Sequence, residues 1–162
     1  MPKRPTQFWL MKSEPDTYSI DDLKRDGSEC WEGVRNYQAR NFMRDMAVGD
    51  WVIFYHSSAD PPGAAGVARV CKNAYPDHTQ FDKKSKYHDA KSKKDDPRWW
   101  MVDVEFVEKF KDLVPLAQLK EAPALEGMRV IQRGQRLSVQ PVDKAHFKHV
   151  LKMAGAKTRT GR

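Results

Sequence analysis

Apolar positions along the chain recur with two periods, two and 3.6 residues, and the two kinds of segment alternate. Phe8-Trp9-Leu10-Met11 reads as a first strand that ends at Lys12-Ser13. Ser19-Ile20-Asp21-Asp22 then supplies an N-cap and first-turn acids for a short helix that Gly27 stops. Trp31 to Arg35 reads as a loop. Ala39, Phe42, Met43 and Met46 fall at i, i+3, i+4 and i+7, which predicts a second helix with Asn36 as its N-cap and Arg40, Asn41, Arg44 and Asp45 off the apolar stripe. Val48-Gly49-Asp50 turns into Trp51 to His56, apolar on both faces and so expected in the middle of a sheet. Pro61-Pro62-Gly63 breaks the chain, and Gly66 to Cys71 returns as a strand whose small side chains let something pack closely over it.

Residues 82–98 are almost wholly polar, with six Lys, Arg98 and four Asp, and read as a long exposed loop, partly disordered. Order resumes at Trp99. Period two puts Trp100, Val102, Val104 and Phe106 on one apolar face and leaves Trp99 facing away from it with Met101, Asp103 and Glu105. Pro115 starts a short helix through Leu116 and Leu119, and Leu137 to Gln140 makes a last short strand. Asp143 caps a final helix carrying Phe147, Val150, Leu151 and Ala154 inward, after which Lys157 to Arg162 reads as a frayed tail. The expected class is α+β: a mixed sheet with short helices on its rim.

At 162 residues the chain fits one domain with its own core. Its longest apolar run, Trp51 to Tyr55, is far short of a membrane span, and Met1 to Pro5 leads into no signal-peptide core, so a cytoplasmic or nuclear protein is expected. Two cysteines, Cys30 and Cys71, offer neither a disulfide framework nor a zinc knuckle. The net charge of +7 is uneven: residues 128–162 hold nine Lys or Arg and one acid, a surplus of +8, and the other 127 residues carry −1. Such a basic segment fits a face that meets phosphates, or a solvated basic tail.

The chain has no GxGxxG, GxxxxGK[ST], GxSxG or HExxH motif. His146 and His149 are three apart on a helix, but no third ligand stands at telling spacing, so no metal or cofactor is expected. Polar groups and large aromatics do crowd the strand and loop ends: Lys12-Ser13, Trp31, Arg35-Asn36-Tyr37, Tyr55-His56-Ser57 and Trp99. A flipped or unpaired base needs an aromatic slot for its faces and a few directional donors and acceptors for its edge. Trp31 or Trp99 suits the stack, Asn36 the edge, and Arg35 a phosphate or a planar stack. Each also has a purely structural reading: Asn36 as a cap, Trp31 as a cover for the core, Tyr55 as sheet packing, Arg35 as a partner of Glu14 or Glu32.

Met11-Lys12-Ser13-Glu14-Pro15, Trp31 to Asn41, Tyr55-His56-Ser57, Asp96-Pro97-Arg98-Trp99 and Leu137 to Pro141 together resemble the EVE domain, in order and at its spacing, over about residues 7–153. The resemblance implies a PUA-like fold, a curved, barrel-like mixed sheet flanked by short helices, over residues 7–154, with an N-terminal extension 1–6 and a flexible basic tail 155–162. It also implies a pocket on Lys12 and Ser13, the loop Trp31, Val34, Arg35, Asn36 and Tyr37 with Asn41, then Tyr55, His56 and Ser57, Trp99, and Ser138, Gln140 and Pro141. Relatives of the fold mostly bind RNA or modified bases. The expected function is therefore a monomeric, non-enzymatic module that binds RNA or DNA by a modified or flipped base, with Arg129, Arg133, Arg136, Lys144, Lys148 and Lys152 on the backbone. The alternative is a small amidohydrolase acting on acylated nucleobases, as in some ASCH relatives, using the adjacent Lys12, Ser13 and Glu14. In a strand, however, Lys12 and Ser13 point to opposite faces, and Lys12 needs a lowered pKa to act as a base. A peptide-binding module is favoured least, because no exposed apolar stripe is evident.

Overall fold

The computed structural model describes residues 5–160, so Met1 to Arg4 of the expected extension and the last two residues of the expected tail lie outside the described residues. Six strands form one mixed sheet: β1 (Phe8–Ser13), β2 (Ser28–Cys30), β3 (Trp51–His56), β4 (Gly63–Pro76), β5 (Trp100–Pro115) and β6 (Val139–Pro141), in the order β2-β5-β4-β3-β1-β6. β1 and β3 run parallel, Phe8 opposite Trp51 through to Ser13 opposite His56; the other neighbours are antiparallel. A parallel pair needs a crossover, and here it carries α1 (Ile20–Asp26), β2 and α2 (Tyr37–Asp45). α3 (Leu116–Glu121) and α4 (Lys144–Met153) follow β5 and β6.

The middle of the sheet is buried on both faces, which is why residues 8–11 of β1 and 51–55 of β3 are apolar at every position. Trp9, Met11, Val52 and Phe54 join Ile20 and Leu23 of α1 and Ala39 and Met43 of α2 in one core cluster. The alternate residues Phe8, Leu10, Trp51, Ile53 and Tyr55 join Leu119 of α3 and Phe147, Val150 and Leu151 of α4 in a second. β3 is central, as its pattern predicts. Buried Asp50 ties the starts of the parallel pair together, accepting from the Trp9 indole (3.0 Å) and the Gln7 amide (3.1 Å). The small residues of β4 serve the expected close approach: a Cβ on Gly66 would meet the Glu108 carbonyl and lie 2.8 Å from Ile20, so α1 sits directly on this strand.

Four features differ from the sequence reading. β2 follows Gly27 at once and pairs with β5, a three-residue strand too short to show a period. β4 and β5 run well beyond Cys71 and Phe106 and pair through several bulges that shift the register and hide the alternation. Residues 82–98 are ordered by turns and by anchors to the fold: Asp89 N–H to the Gln80 carbonyl, the Ser92 hydroxyl to the Gln80 side chain, and the Trp99 indole to Asp89. Asp143 stands at the start of α4 without a side-chain cap bond; the Phe147 N–H bonds its carbonyl instead. At the other end, the Lys157 and Thr158 amides donate to Glu108. No helix among the described residues is long and apolar enough to cross a membrane.

Candidate functional site

The C-terminal ends of the parallel pair open into a cavity of about 790 Å³. Lys12 and Ser13 of β1 and Ser57 and Ser58 after β3 form one side, Glu29, Cys30 and the Trp31–Arg35 loop another. Lys86 and Tyr87, and Gln135, Arg136 and Ser138 ahead of β6, complete it.

The loop is held from beneath. The Trp31 N–H bonds the Val102 carbonyl at 2.8 Å, and the indole, only 9 % exposed, meets Phe54 edge-on with centroids 5.5 Å apart. Gly33 adopts φ +85°, and the Tyr87 ring lies so close that a Cβ there would come within 2.6 Å of it. The Gly33 N–H donates to Asp77 Oδ2 at 2.8 Å. Arg35 uses all five of its N–H groups: Nε and Nη2 on the Tyr87 carbonyl (3.0 and 2.7 Å), Nη1 on the Val34 carbonyl and Asp77 Oδ2 (3.0 and 3.1 Å), and Nη2 on the Thr79 hydroxyl (3.0 Å). The arginine therefore pairs with Asp77, not with Glu14 or Glu32. Burial alone would raise the Asp77 pKa, but bonds from the Thr79 hydroxyl, the Gly33 and Thr79 amides and the Arg35 charge outweigh it and hold it below the ordinary carboxylate value.

A row of planar groups continues from the cavity wall. The Arg35 guanidinium lies 5.6 Å from the Tyr87 centroid and 5.3 Å from that of Trp99; Trp99 stacks on Tyr37 at 4.9 Å and 23°; Arg40 covers Tyr37 at 4.8 Å. Trp99 lies outside both core clusters, as its parity predicts, but it is only 6 % exposed, because Tyr37 and Arg35 occupy its faces.

At the strand ends, Lys12 Nζ donates to the Gln135 carbonyl (3.3 Å), and burial lowers its pKa. The Ser13 hydroxyl donates to the Tyr18 carbonyl (2.6 Å), and the Ser57 N–H to the Ser13 carbonyl (3.1 Å). The Cys30 thiol is pushed up to about 12, by burial first and then by Glu29, so it stays protonated at neutral pH.

Of the residues expected at the pocket, Lys12, Ser13, Trp31, Val34, Arg35, Ser57 and Ser138 line this cavity; Arg136, expected on the backbone, lines it too. The others lie elsewhere. Asn36 caps α2, its Oδ1 accepting from the Ala39 N–H at 3.0 Å, and Asn41 accepts from Arg40. Tyr37 and Trp99 are in the stack. Tyr55 is in the second core cluster with its phenol pushed up to about 12 by burial, and buried Gln140 donates to the Leu137 carbonyl. Pro141 and Arg129 border a smaller cavity of about 270 Å³ beside Phe8. Arg133 is exposed in the segment before β6, and Lys144, Lys148 and Lys152 are exposed on α4, beyond the second core cluster. Asp77 and Tyr87 escaped the sequence reading. Asp77 carries a readable signal, since its carboxylate accepts from the Thr79 amide as a cap does, and Tyr87 is a lone aromatic in a lysine-rich run. Among the described residues no three His, Cys, Asp or Glu side chains group as metal ligands.

His56 is a buttress of α1: its Nε2 accepts from the Ile20 N–H at 3.1 Å, which requires the neutral ring. Burial, with Lys109 adding to it and Asp21 opposing, lowers its pKa. Its contribution is complete above the unfolded value of about 6.5 and is lost as pH falls from there toward the depressed folded value. Melting followed between pH 7.5 and 5 is expected to show the wild type losing stability more steeply than His56→Gln; parallel curves would remove this role.

Residues 7–153 match the EVE domain. Human thymocyte nuclear protein 1 is 45 % identical over 170 residues, covering 93 % of this chain and 75 % of that protein. The crystal structure of a Pseudomonas syringae protein superposes with a TM-score of 0.88 at 49 % identity, covering 91 % of this chain and 99 % of that one. That of human THYN1 protein in complex with 5-methylcytosine-containing DNA superposes with a TM-score of 0.87 at 44 % identity, covering 94 % of this chain and all of that one. By sequence over nearly its whole length, and by the mixed sheet that sequence builds, this chain belongs to the EVE domain family.

Proposed function

We propose that this chain is a non-enzymatic reader of modified bases that takes a cytosine carrying a 5-methyl group out of DNA into the cavity at the ends of β1 and β3. The observation that carries the reading is the cavity itself. Its volume of about 790 Å³ lies within the ordinary range for small-molecule sites, about 300–1,000 Å³. Indole and phenol rings, Trp31 and Tyr87, offer apolar walls for the faces of a base and for its methyl group. Lys12, Lys86 and Arg136 stand at the same cavity and complement the flanking phosphates, while Glu29 and Glu32 offer acceptors to an exocyclic amine. A relative with 44 % identity and the same fold has been crystallised with DNA containing that base. Arg35, whose five N–H groups hold the loop, and Asn36, whose Oδ1 caps α2, serve to position the loop.

One observation favours the hydrolase alternative: Lys12 has a lowered pKa and lines the cavity. Against it, Ser13 gives its proton to a backbone carbonyl and Cys30 stays a thiol.

Fluorescence anisotropy with duplexes that differ by a single methyl group tests the proposal. The methylated duplex is expected to bind at least about tenfold more tightly, a difference of about 1.4 kcal/mol. Equal affinity for the two duplexes overturns base reading, and release of acetate from N-acetylated cytidine in a parallel incubation overturns the non-enzymatic assignment.

A further inference from the structure

We infer that the DNA backbone runs over the outer face of α2, held by Arg40 and Arg44, and not over the lysines of α4. The inference rests on the proposed entry of a base into the cavity, because it concerns where the phosphates next to that base lie. Those phosphates are tied to the base by its own sugar and must lie on the layer of the molecule into which the cavity opens.

The sheet separates the two basic surfaces. Trp31 and Val34 of the cavity loop share a core cluster with Ala39 and Met43 of α2, whereas Phe147, Val150 and Leu151 of α4 pack in the cluster on the other face. The basic segment at residues 128–162 thus places Lys144, Lys148 and Lys152 behind the sheet as seen from the loop, however large its charge.

On the cavity side, the planar row leads outward from Tyr87 through Arg35, Trp99 and Tyr37 to Arg40 in contacts of 4.8–5.6 Å. Arg44 follows one helical turn on, with its guanidinium 4.8 Å from the Trp100 centroid. Both arginines rest on aromatic faces, and among the described residues neither forms an ion pair with a carboxylate. An arginine held this way is oriented and partly desolvated at little cost while its charge stays available. Arg40 spends one N–H on the Arg98 carbonyl and two on Asn41, which leaves N–H groups for a phosphate; Arg35, with all five used, has none. Asp45 beside Arg44 is the acid among residues 37–45, and residues 82–98, which meet this helix where Arg40 bonds the Arg98 carbonyl, carry seven cations against four aspartates, so the net charge there is positive.

The test is the salt dependence of duplex binding. Each phosphate contact removed flattens the slope of log K against log salt by about 0.9, so Arg40→Gln with Arg44→Gln is expected to flatten it by about 1.8 and to weaken the plain and the methylated duplex alike, about tenfold at moderate salt. Arg40→Lys with Arg44→Lys restores most of the slope. Lys111→Gln with Lys120→Gln removes the same formal charge from β5 and α3 and leaves the slope as in the wild type. If Lys148→Gln with Lys152→Gln flattens the slope and the arginine pair does not, the track is overturned while discrimination by methylation, read on the same duplexes, still supports the cavity. If the wild type does not discriminate but the arginine pair flattens the slope, base reading fails and the track stands. Binding of neither duplex by the wild type overturns both.

Discussion

Asp77→Ala is expected to cost about 3 kcal/mol of stability, the low end of the range for breaking a buried ion pair, and to abolish preference for a methylated duplex. The Asp77 side chain is fully buried and accepts from Gly33, from Arg35 and twice from Thr79. Truncation leaves the Arg35 guanidinium, only 22 % exposed, without its counter-charge, and leaves the Gly33 amide unpaired in a loop that forms a cavity wall. For a domain of this length the loss corresponds to a fall of roughly 6–12 °C in melting temperature. Acid denaturation gives a second measure. Because the folded pKa of Asp77 is depressed, its contribution is complete above the unfolded value of about 3.9 and is lost as pH falls through the folded one. The variant is therefore expected to lose less stability than the wild type on acidification below pH 4. A variant that melts within about 0.5 kcal/mol of the wild type, the range of an ordinary surface change, would show that the loop does not depend on this carboxylate.

Tyr87→Ala is expected to lower affinity for the methylated duplex by roughly ten- to a hundredfold, the effect of removing one stacking partner worth about 1–3 kcal/mol. The plain duplex, held through its backbone, should be little affected. Tyr87 lines the cavity, its ring covers Gly33, and its carbonyl takes two bonds from Arg35, so the backbone position survives truncation while the ring does not. Tyr87→Phe should retain discrimination, since the reading uses the ring face. Tyr87→Leu separates stacking from support of the loop: a leucine fills space over Gly33 without a π face. Discrimination retained by the leucine variant would make Tyr87 a prop for Gly33 and not a base-stacking residue.

Legibility along the chain followed the range of the interactions involved. The cap of α2 by Asn36, the apolar stripe of Ala39 and Met43 and the central place of β3 are written in neighbouring residues, and the structure has them so. Trp31 and the ends of β1 and β3 were also recognisable, because large aromatics and polar groups stood at the tips of predicted strands. Trp99 lies beyond the reach of local pattern. Parity correctly turned it from the core, but whether such an indole is open depends on what stacks on it, and Tyr37 and Arg35 come from 62 and 64 residues away.

The lysine-rich segment is likewise ordered by residues outside it. By composition, residues 82–98 cannot bury a core of their own, and reading them as exposed was sound for their lysines. Their order comes from bonds to Gln80, Arg35 and Trp99, none of which is visible in the segment itself.

By itself, then, the sequence determined the class of fold, the polarity and ends of most elements, and a loop at Trp31 to Asn36 as the place to look, because periodicity, caps and turn residues act over a few positions. Only the tertiary structure decided which residues share a cavity. It set Arg35 on Asp77 and Tyr87 on Gly33, and it placed α4 and its lysines across the sheet from the loop. Those outcomes depend on the pairing of strands far apart in sequence, which brings residues together with no local trace of the contact.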